Sequence, residues 1–308
     1  MKYGVIMEIL PSNQGFLKLP PENAVSYEQA KAVIIPFGLE ASVSYGGGTS
    51  RAPQAMIDAS PELELFDETL WCEPYKEIGI VTLQPVEIAR PNAAALKQVE
   101  AIVEQVLNDG KFPMTFGGEH SITAGTIRPF ARRYDDLAIL HFDAHADLRD
   151  GYLGEHYSHA AALRRCVDDA EVKGQGHNIT LVSCGIRNIS ASEIPFYEAN
   201  KHRIHIYWGH QMAQWDVEQI VSHLKGRNVY LTFDVDGFDA SIMAATGTPE
   251  PGGLFWNDAM KIIKRATQVC NVVGADVNEL APIDGFHSYD FLAAKLAYKI
   301  LSYKFIAH

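Results

Sequence analysis

The sequence predicts an α/β fold: one domain built on a mainly parallel central sheet. Two observations carry this. Apolar runs of strand length alternate with amphipathic helical segments along the chain. Polar clusters recur just past the C-terminal ends of several of those strands, the edge where ligands bind in open α/β sheets. The chain has 308 residues, 47% of them apolar, enough for a substantial core. No linker, repeat or low-complexity segment interrupts it, so residues 1–308 read as a single domain.

Taken in order, residues 1–30 are Pro-rich and irregular and read as a surface arm. Lys31 to Gly38 is a first strand. Ala41 to Ser50, with Gly46, Gly47 and Gly48, is a loop, and taken alone its glycines read as a flexible turn. It lacks G-x-G-x-x-G spacing and a Gly-Lys-Ser/Thr, so it is neither a dinucleotide fingerprint nor a phosphate loop. Thr49 or Ser50 is placed to cap a short helix from Arg51 to Ala59, with Pro53 in its first turn. Glu77 to Val81 reads as a short strand. Asn92 to Asn108 is a helix whose Leu96, Val99, Ile102, Val103, Val106 and Leu107 share one face, with Asn92 as cap and Gly110 as terminator. Lys111 to Phe116 is a strand, and a helix follows from Ser121 to Ala131.

Leu137 to Phe142 is a mostly apolar strand. Ser158 to Asp168 reads as helix, Ile179 to Gly185 as strand, Ser192 to Asn200 as helix and Arg203 to Trp208 as strand. Val217, Ile220, Val221 and Leu224 mark a helix. Asn228 to Phe233 is a strand, and a Pro/Gly loop runs from Thr246 to Leu254. Asn257 is placed to cap a helix to Val269. Asn271 to Ala275 is a strand, and a helix from Ser288 to Tyr303 follows.

The net charge is -12 and the pI near 5.4. This argues against a nucleic-acid or anionic-membrane partner, each of which needs a basic face, and it is compatible with a small cationic substrate. The four cysteines have no C-x-x-C spacing, so they read as reduced thiols in a reducing compartment. No apolar stretch resembles a signal peptide or a membrane span, so the expected location is cytoplasmic.

The chemistry lies in the clusters. Asp143, His145 and Asp147 follow a strand at alternate positions, which places them on one side of extended backbone. His120, the pair Asp234 and Asp236, and Glu279 each follow another strand. One cluster alone is as compatible with a solvated acidic loop; four at the same topological position are not. Carboxylates and imidazoles without thiolate suit a hard or borderline divalent ion such as Mn, Co, Ni or Zn. Two imidazoles and four aspartates are too many for one tetrahedral zinc. They suit two divalent ions that share carboxylates and turn a water into a hydroxide nucleophile near neutral pH. The charge count leaves such a site net negative, which favours a cationic electrophile over a phosphate ester.

At these residues the chain resembles the ureohydrolase family, the arginase and agmatinase group. The matching pieces are G-G-E-H-S at Gly117 to Ser121, D-A-H-A-D at Asp143 to Asp147, T-F-D-V-D-G-F-D-A-S at Thr232 to Ser241, and G-A-D-V-N-E-L-A-P at Gly274 to Pro282. They occur in the family's order and span most of the chain. The resemblance implies a three-layer α/β/α fold and a pair of metal ions, usually manganese. It implies that His120, Asp143, Asp147 and Asp234 hold one ion, and that His145, Asp143, Asp234 and Asp236 hold the other. It also implies that a bridging hydroxide attacks a guanidinium carbon, that Asp147 orients it, and that Glu279 pairs with the guanidinium. A histidine suits the proton delivery to the leaving amine. His159 matches the family's position, with His156 as runner-up. Homo-oligomers, trimers or hexamers, are common among such relatives.

Other residues read more plainly. His141 lies inside the strand as a packed residue or one that supports a ligand. His202, His205 and His210 have no acidic company. Asp239 braces its loop, Asp276 belongs to the strand end, and Glu119 stands where many relatives have Asp. Within the family, S-Y-G-G-G-T, T-G-T-P-E-P-G-G-L and D-L-R-D-G-Y-L-G-E-H-Y-S-H-A look like agmatinases, which convert agmatine to putrescine and urea in polyamine biosynthesis. Arg149 stands where arginases carry an Asn that helps hold the substrate carboxylate. If the substrate is agmatine, Arg149 should turn away from its ammonium or be neutralised by Asp150 or Glu155. Guanidinobutyrate, guanidinopropionate, formimidoylglutamate and arginine are the alternative substrates. A non-catalytic metal-binding protein and a single-zinc deacetylase of related fold are the other readings.

Overall fold

The computed structural model describes residues 7–168 and 179–306. Eight strands form one sheet: β1 (Ala32–Phe37), β2 (Ile80–Thr82), β3 (Phe112–Gly117), β4 (Ala138–Phe142), β5 (Thr180–Ile186), β6 (Ile204–Trp208), β7 (Asn228–Asp234) and β8 (Asn271–Asn278). Their order is β2-β1-β3-β8-β7-β4-β5-β6, and every neighbouring pair is parallel. Apolar residues fill both faces, as a parallel sheet covered by helices requires. Along β4, Ala138, Leu140 and Phe142 join one core while Ile139 joins the other. The first core is covered by helices Ala52–Ala59, Trp256–Val269 and His287–Ile306. The second is covered by Asn92–Asn108, the helical turns of 123–133 and Ala162–Asp168. This is the three-layer α/β/α arrangement.

The sheet order positions the site. The strands that end in His120, Glu279, Asp234 and Asp143 are β3, β8, β7 and β4, and these are the four central, contiguous strands. Residues scattered over the sequence therefore meet at one edge.

Several local expectations needed revision. Residues 74–78 form a short helix instead of opening a strand. Pro74 lies in its first turn, Gly79 ends it at φ +61°, and β2 begins only at Ile80. The expected helix from Ser121 to Ala131 is broken into 3-10 turn His120–Ile122, helix Thr123–Thr126 and helix Arg128–Arg133. Pro129 has no N–H to give to the preceding turn. Asn92 is the first helical residue and Pro91 the cap position; the Asn92 amide donates instead to the Tyr157 carbonyl (3.5 Å). Neither Thr49 nor Ser50 caps the helix that follows. The Glu40 carboxylate does comparable work by accepting the N–H groups of Gly48 (3.0 Å) and Ser50 (2.8 Å). Phe255, not Asn257, precedes the helix to Val269, and Asp258 accepts its N–H (3.2 Å).

Residues 1–6 of the expected arm lie outside the described residues. Phe16, Leu17 and Leu19 of the rest are buried in the first core. Among the described residues no helix is long and apolar enough to cross a membrane. None of the four cysteines forms a disulfide.

Gly118 is a close approach of two chain segments. A Cβ there would lie 2.1 Å from the Leu39 carbonyl oxygen, while the Gly118 carbonyl accepts the Glu279 N–H (2.8 Å). Gly118→Ala is expected to destabilise the fold by about 1–3 kcal/mol through overpacking. Thermal unfolding should show a lower Tm, and an unchanged Tm would show that the two segments can part freely.

Candidate metal centre and its cavity

Two clusters form where β3, β7 and β4 end. In the first, His120 Nδ1 faces Asp143 Oδ2 (3.1 Å), Asp147 Oδ2 (3.4 Å) and Asp234 Oδ2 (3.4 Å). In the second, His145 Nδ1 faces Asp236 Oδ2 (2.9 Å) and Asp143 Oδ1 (3.5 Å). Asp143 thus turns one oxygen to each imidazole. Asp234 gives its other oxygen to the Asp236 N–H (2.9 Å), and Asp236 gives its own second oxygen to the Ala144 N–H (2.9 Å). Backbone bonds thereby fix which oxygen points inward.

His120 provides the test of fit. Its Nε2 lies 2.8 Å from Thr232 Oγ1, which neighbours Thr123 Oγ1 (3.3 Å). Thr123 donates to Asp276 (2.9 Å), so its proton is committed. Thr232 must then donate to Thr123 and accept from His120 Nε2–H. This leaves a bare lone pair on Nδ1, which is buried without a hydrogen-bond partner and faces three carboxylates. Only a proton or a cation between them makes that arrangement favourable. The six side chains therefore fit divalent metal, with oxygen and nitrogen donors only.

The titration behaviour points the same way. Burial opposes charge on Asp143, but its bonds to His120, His141 and His145 win and hold its carboxyl well below the usual range. Burial, and then the Asp143 charge, push Asp147 up to about 7. Burial and the charges of Asp236 and Asp143 raise Asp234. Burial also raises Glu279. For His145 burial works downward, but Asp236 and Asp143 lift it to about 12. Carboxylates and an imidazole raised together mark a deficit of positive charge among them.

Two of these residues sit in the left-handed region, Asp147 at φ +52° and Glu279 at φ +66°. Such conformations cost about 1–2 kcal/mol each for a side-chain-bearing residue. The Asp147 carbonyl accepts the Arg164 N–H (3.0 Å), and one Glu279 oxygen accepts the His120 N–H (2.6 Å).

His145, Asp147, Asp234, Asp236 and Glu279 line a cavity of about 310 Å³, together with Ser44, Tyr45, Arg149, Tyr152, His159 and Glu193. His159 stands on its wall with Nε2 2.8 Å from Ser44 Oγ. His156 instead lies against Arg165 (2.7 Å) and does not line the cavity. Arg149 lies over the Tyr152 ring, 4.9 Å from its centroid. Neither expected neighbour neutralises it: Asp150 pairs with Arg165, and Glu155 accepts the Tyr157 N–H (2.9 Å). His141 supports Asp143 through Nε2 (2.8 Å) and is held by Ser183 (2.9 Å). Asp276 accepts Thr123, Thr126, Tyr230 and Asn278 behind the site. Asp239 braces its loop by accepting the N–H groups of Gly252 and Gly253. His202, His205 and His210 do not line the cavity.

Sequence reasoning missed Arg187, Asn188 and Glu193. Arg187 ties together the carbonyls of Asp236 (2.7 Å), Phe238 (3.1 Å) and Glu250 (2.8 Å). Glu193 accepts the N–H groups of Leu148 (2.8 Å) and Ser190 (2.6 Å) at the cavity wall. The rule that singled out the candidate ligands, polar residues just past a strand end, applied to β5, would have found Arg187 and Asn188.

Asp143→Asn should cost the protein its metal, read as a fall in bound ions by elemental analysis, with the fold retained by circular dichroism. With Asp147 raised to about 7 and His145 to about 12, metal binding must displace protons from these two groups. Adding metal to the metal-free protein at pH 7 is expected to release protons, and affinity should fall about tenfold per pH unit below 7 for each proton displaced. Affinity flat between pH 5 and 8 would contradict the protonation pattern.

Residues 30–302 match the arginase family. The chain is 34% identical to an N(1)-aminopropylagmatine ureohydrolase of Synechocystis sp., over 92% of each protein. It is 31% identical to an agmatinase of Bacillus subtilis, over 88% of this chain and 89% of that one. The solved structure of an agmatine ureohydrolase from Thermoplasma volcanium superposes with a TM-score of 0.80 at 30% identity, covering 92% of both chains. The resemblance carried by the four motifs thus holds across nearly the whole length, and this chain belongs to the arginase family, as a ureohydrolase that cleaves C–N bonds.

Proposed function

We propose that the protein hydrolyses the guanidinium group of agmatine to putrescine and urea. The observation that carries this is the convergence of six metal-type ligands, four of which line one cavity together with Glu279. Held by His120, Asp143, His145, Asp147, Asp234 and Asp236, a pair of divalent ions, manganese in our reading, would supply the Lewis acidity that lets water ionise near neutral pH.

The chain's own residues do the rest. Glu279 faces the cavity with one oxygen fixed by the His120 N–H, so its other oxygen is available to a guanidinium N–H. A guanidinium beside it offsets the burial that raises its pKa. Asp147, locked in its left-handed backbone, accepts a hydrogen bond from the attacking oxygen and keeps a lone pair aimed at the guanidinium carbon. His159 carries a proton to the alkyl nitrogen as the C–N bond breaks. Burial lowers the pKa of this imidazole against the pull of the Glu119 charge. It therefore rests neutral, ready to take the proton that the water gives up.

The names of the relatives support a cationic, unbranched guanidino substrate. A second reading, the same scission on agmatine lengthened by an aminopropyl group, is favoured by the relative at 34% identity. Arg149, on the cavity wall without a carboxylate partner among the described residues, is the feature that would favour a carboxylate tail.

Urea release after manganese loading is the test, with agmatine, N(1)-aminopropylagmatine, arginine, guanidinobutyrate, guanidinopropionate and formimidoylglutamate as the panel. Agmatine is expected to give the highest kcat/KM, and preference for a carboxylate-bearing member would overturn the substrate and place Arg149 at its tail. His159→Ala should lower kcat by about 10²–10⁴-fold with metals retained. An unchanged kcat would remove His159 from proton delivery.

A further inference from the structure

The motif residue Glu119 has no place in the scheme above, yet it is fully buried beside the site. Its carboxylate accepts four hydrogen bonds. They come from the N–H groups of Ala41 (2.5 Å) and Ser42 (2.6 Å), and from the hydroxyls of Ser42 (2.7 Å) and Ser121 (2.6 Å). The Ser42 hydroxyl proton is therefore committed to Glu119, and Ser42 Oγ can only accept.

It faces two groups of one residue. The His159 backbone N–H donates to it at 3.0 Å, and His159 Nδ1 lies 3.1 Å away. An oxygen that can only accept requires a hydrogen on that ring nitrogen. The other hydroxyl near Nδ1, Ser158 Oγ, is more distant at 3.4 Å. In neutral His159 the proton must then sit on Nδ1, and the lone pair on Nε2. That nitrogen lies 2.8 Å from Ser44 Oγ, an exposed hydroxyl on the cavity wall.

We propose that Glu119 and Ser42 are positioning residues that hold His159 as the Nδ1–H tautomer, so that Nε2 exchanges the proton of the reaction through the Ser44 hydroxyl. The inference rests on the proton-carrying role of His159. The proton that the attacking water gives up is taken by Nε2. It returns through Ser44, whose hydroxyl donates to the alkyl nitrogen while accepting from Nε2–H. The C–N bond breaks, amine and urea leave, and the Nδ1–H bond is unchanged throughout. The short polar run before the triple glycine, Ser42-Val43-Ser44, thereby gains a task beyond closing a turn.

Two measurements test it. In the magnesium-loaded protein, long-range 15N–1H spectra of labelled histidine identify His159 by its loss in His159→Ala. An Nδ1–H pattern in the wild type that is lost in Ser42→Ala and kept in Ser42→Thr supports the proposal. An Nε2–H pattern in the wild type overturns it, whatever the substrate is. The second is a double-mutant cycle on agmatine turnover in the manganese-loaded enzyme. Ser42→Ala should lower kcat about 10-fold, a fraction of what general acid–base catalysis carries, with KM within twofold and Ser42→Thr restoring it. In a His159→Ala background the same change should cost nothing. A neutral Ser42→Ala, or a cost that persists without His159, overturns the positioning role. Full turnover in His159→Ala overturns the catalytic part and the proton-delivery reading together, while the spectra still report on the tautomer.

Discussion

Repulsion among buried carboxylates is the constraint around which this molecule is arranged. Asp143, Asp147, Asp234, Asp236 and Glu279 are each at most 8% exposed and converge on one place. Their mutual charge, desolvated, would cost several kcal/mol if nothing opposed it. The opposition is visible residue by residue. Asp143 is surrounded by three imidazoles, and backbone N–H groups hold the outward oxygens of Asp234 and Asp236. What the protein leaves unopposed is the inner set of lone pairs around His120 Nδ1. A site that keeps such lone pairs unopposed is a site built for cations.

The support behind that set is as directional as the set itself. His120 is aimed by Thr232, Thr232 by Thr123, and Thr123 by Asp276, which collects three further donors. Asp147 and Glu279 are held in backbone conformations that their side chains disfavour, and each is fixed by a bond from a distant segment. Stability is given up locally where two carboxylates line the cavity.

That the candidate ligands would cluster was legible in the sequence because their logic is local. Alternation after an apolar run places Asp143, His145 and Asp147 on one side, and the same position after other strands adds His120, Asp234, Asp236 and Glu279. The parallel sheet followed from the alternation of elements. What the sequence did not reveal is carried by contacts between remote residues. Ser42 meets Glu119 across 77 positions and His159 across 117, and no periodicity encodes such a pairing. The cap positions failed for a related reason. Asn92 and Asn257 have capping side chains, but Pro91 and Phe255 occupy the cap positions, and Glu40 serves Gly48 and Ser50 from outside the turn. The choice between His156 and His159 could not be made from spacing, since both lie in one short loop. The structure separates them: His159 lines the cavity beside Ser42 and Ser44, and His156 lies against the Arg165 guanidinium.

The position of β8 has a consequence for synthesis on the ribosome. It is the last strand to emerge, yet it lies between β3 and β7 at the middle of the sheet. Until residue 278 is available, β3 and β7 each present a bare edge of N–H and C=O groups. The nascent chain therefore consists of two incomplete half-sheets, and one late insertion seals both and delivers Glu279 in the same step. Such a chain is open to wrong partners for most of its elongation. Those two edges need cover during synthesis that the finished molecule no longer needs.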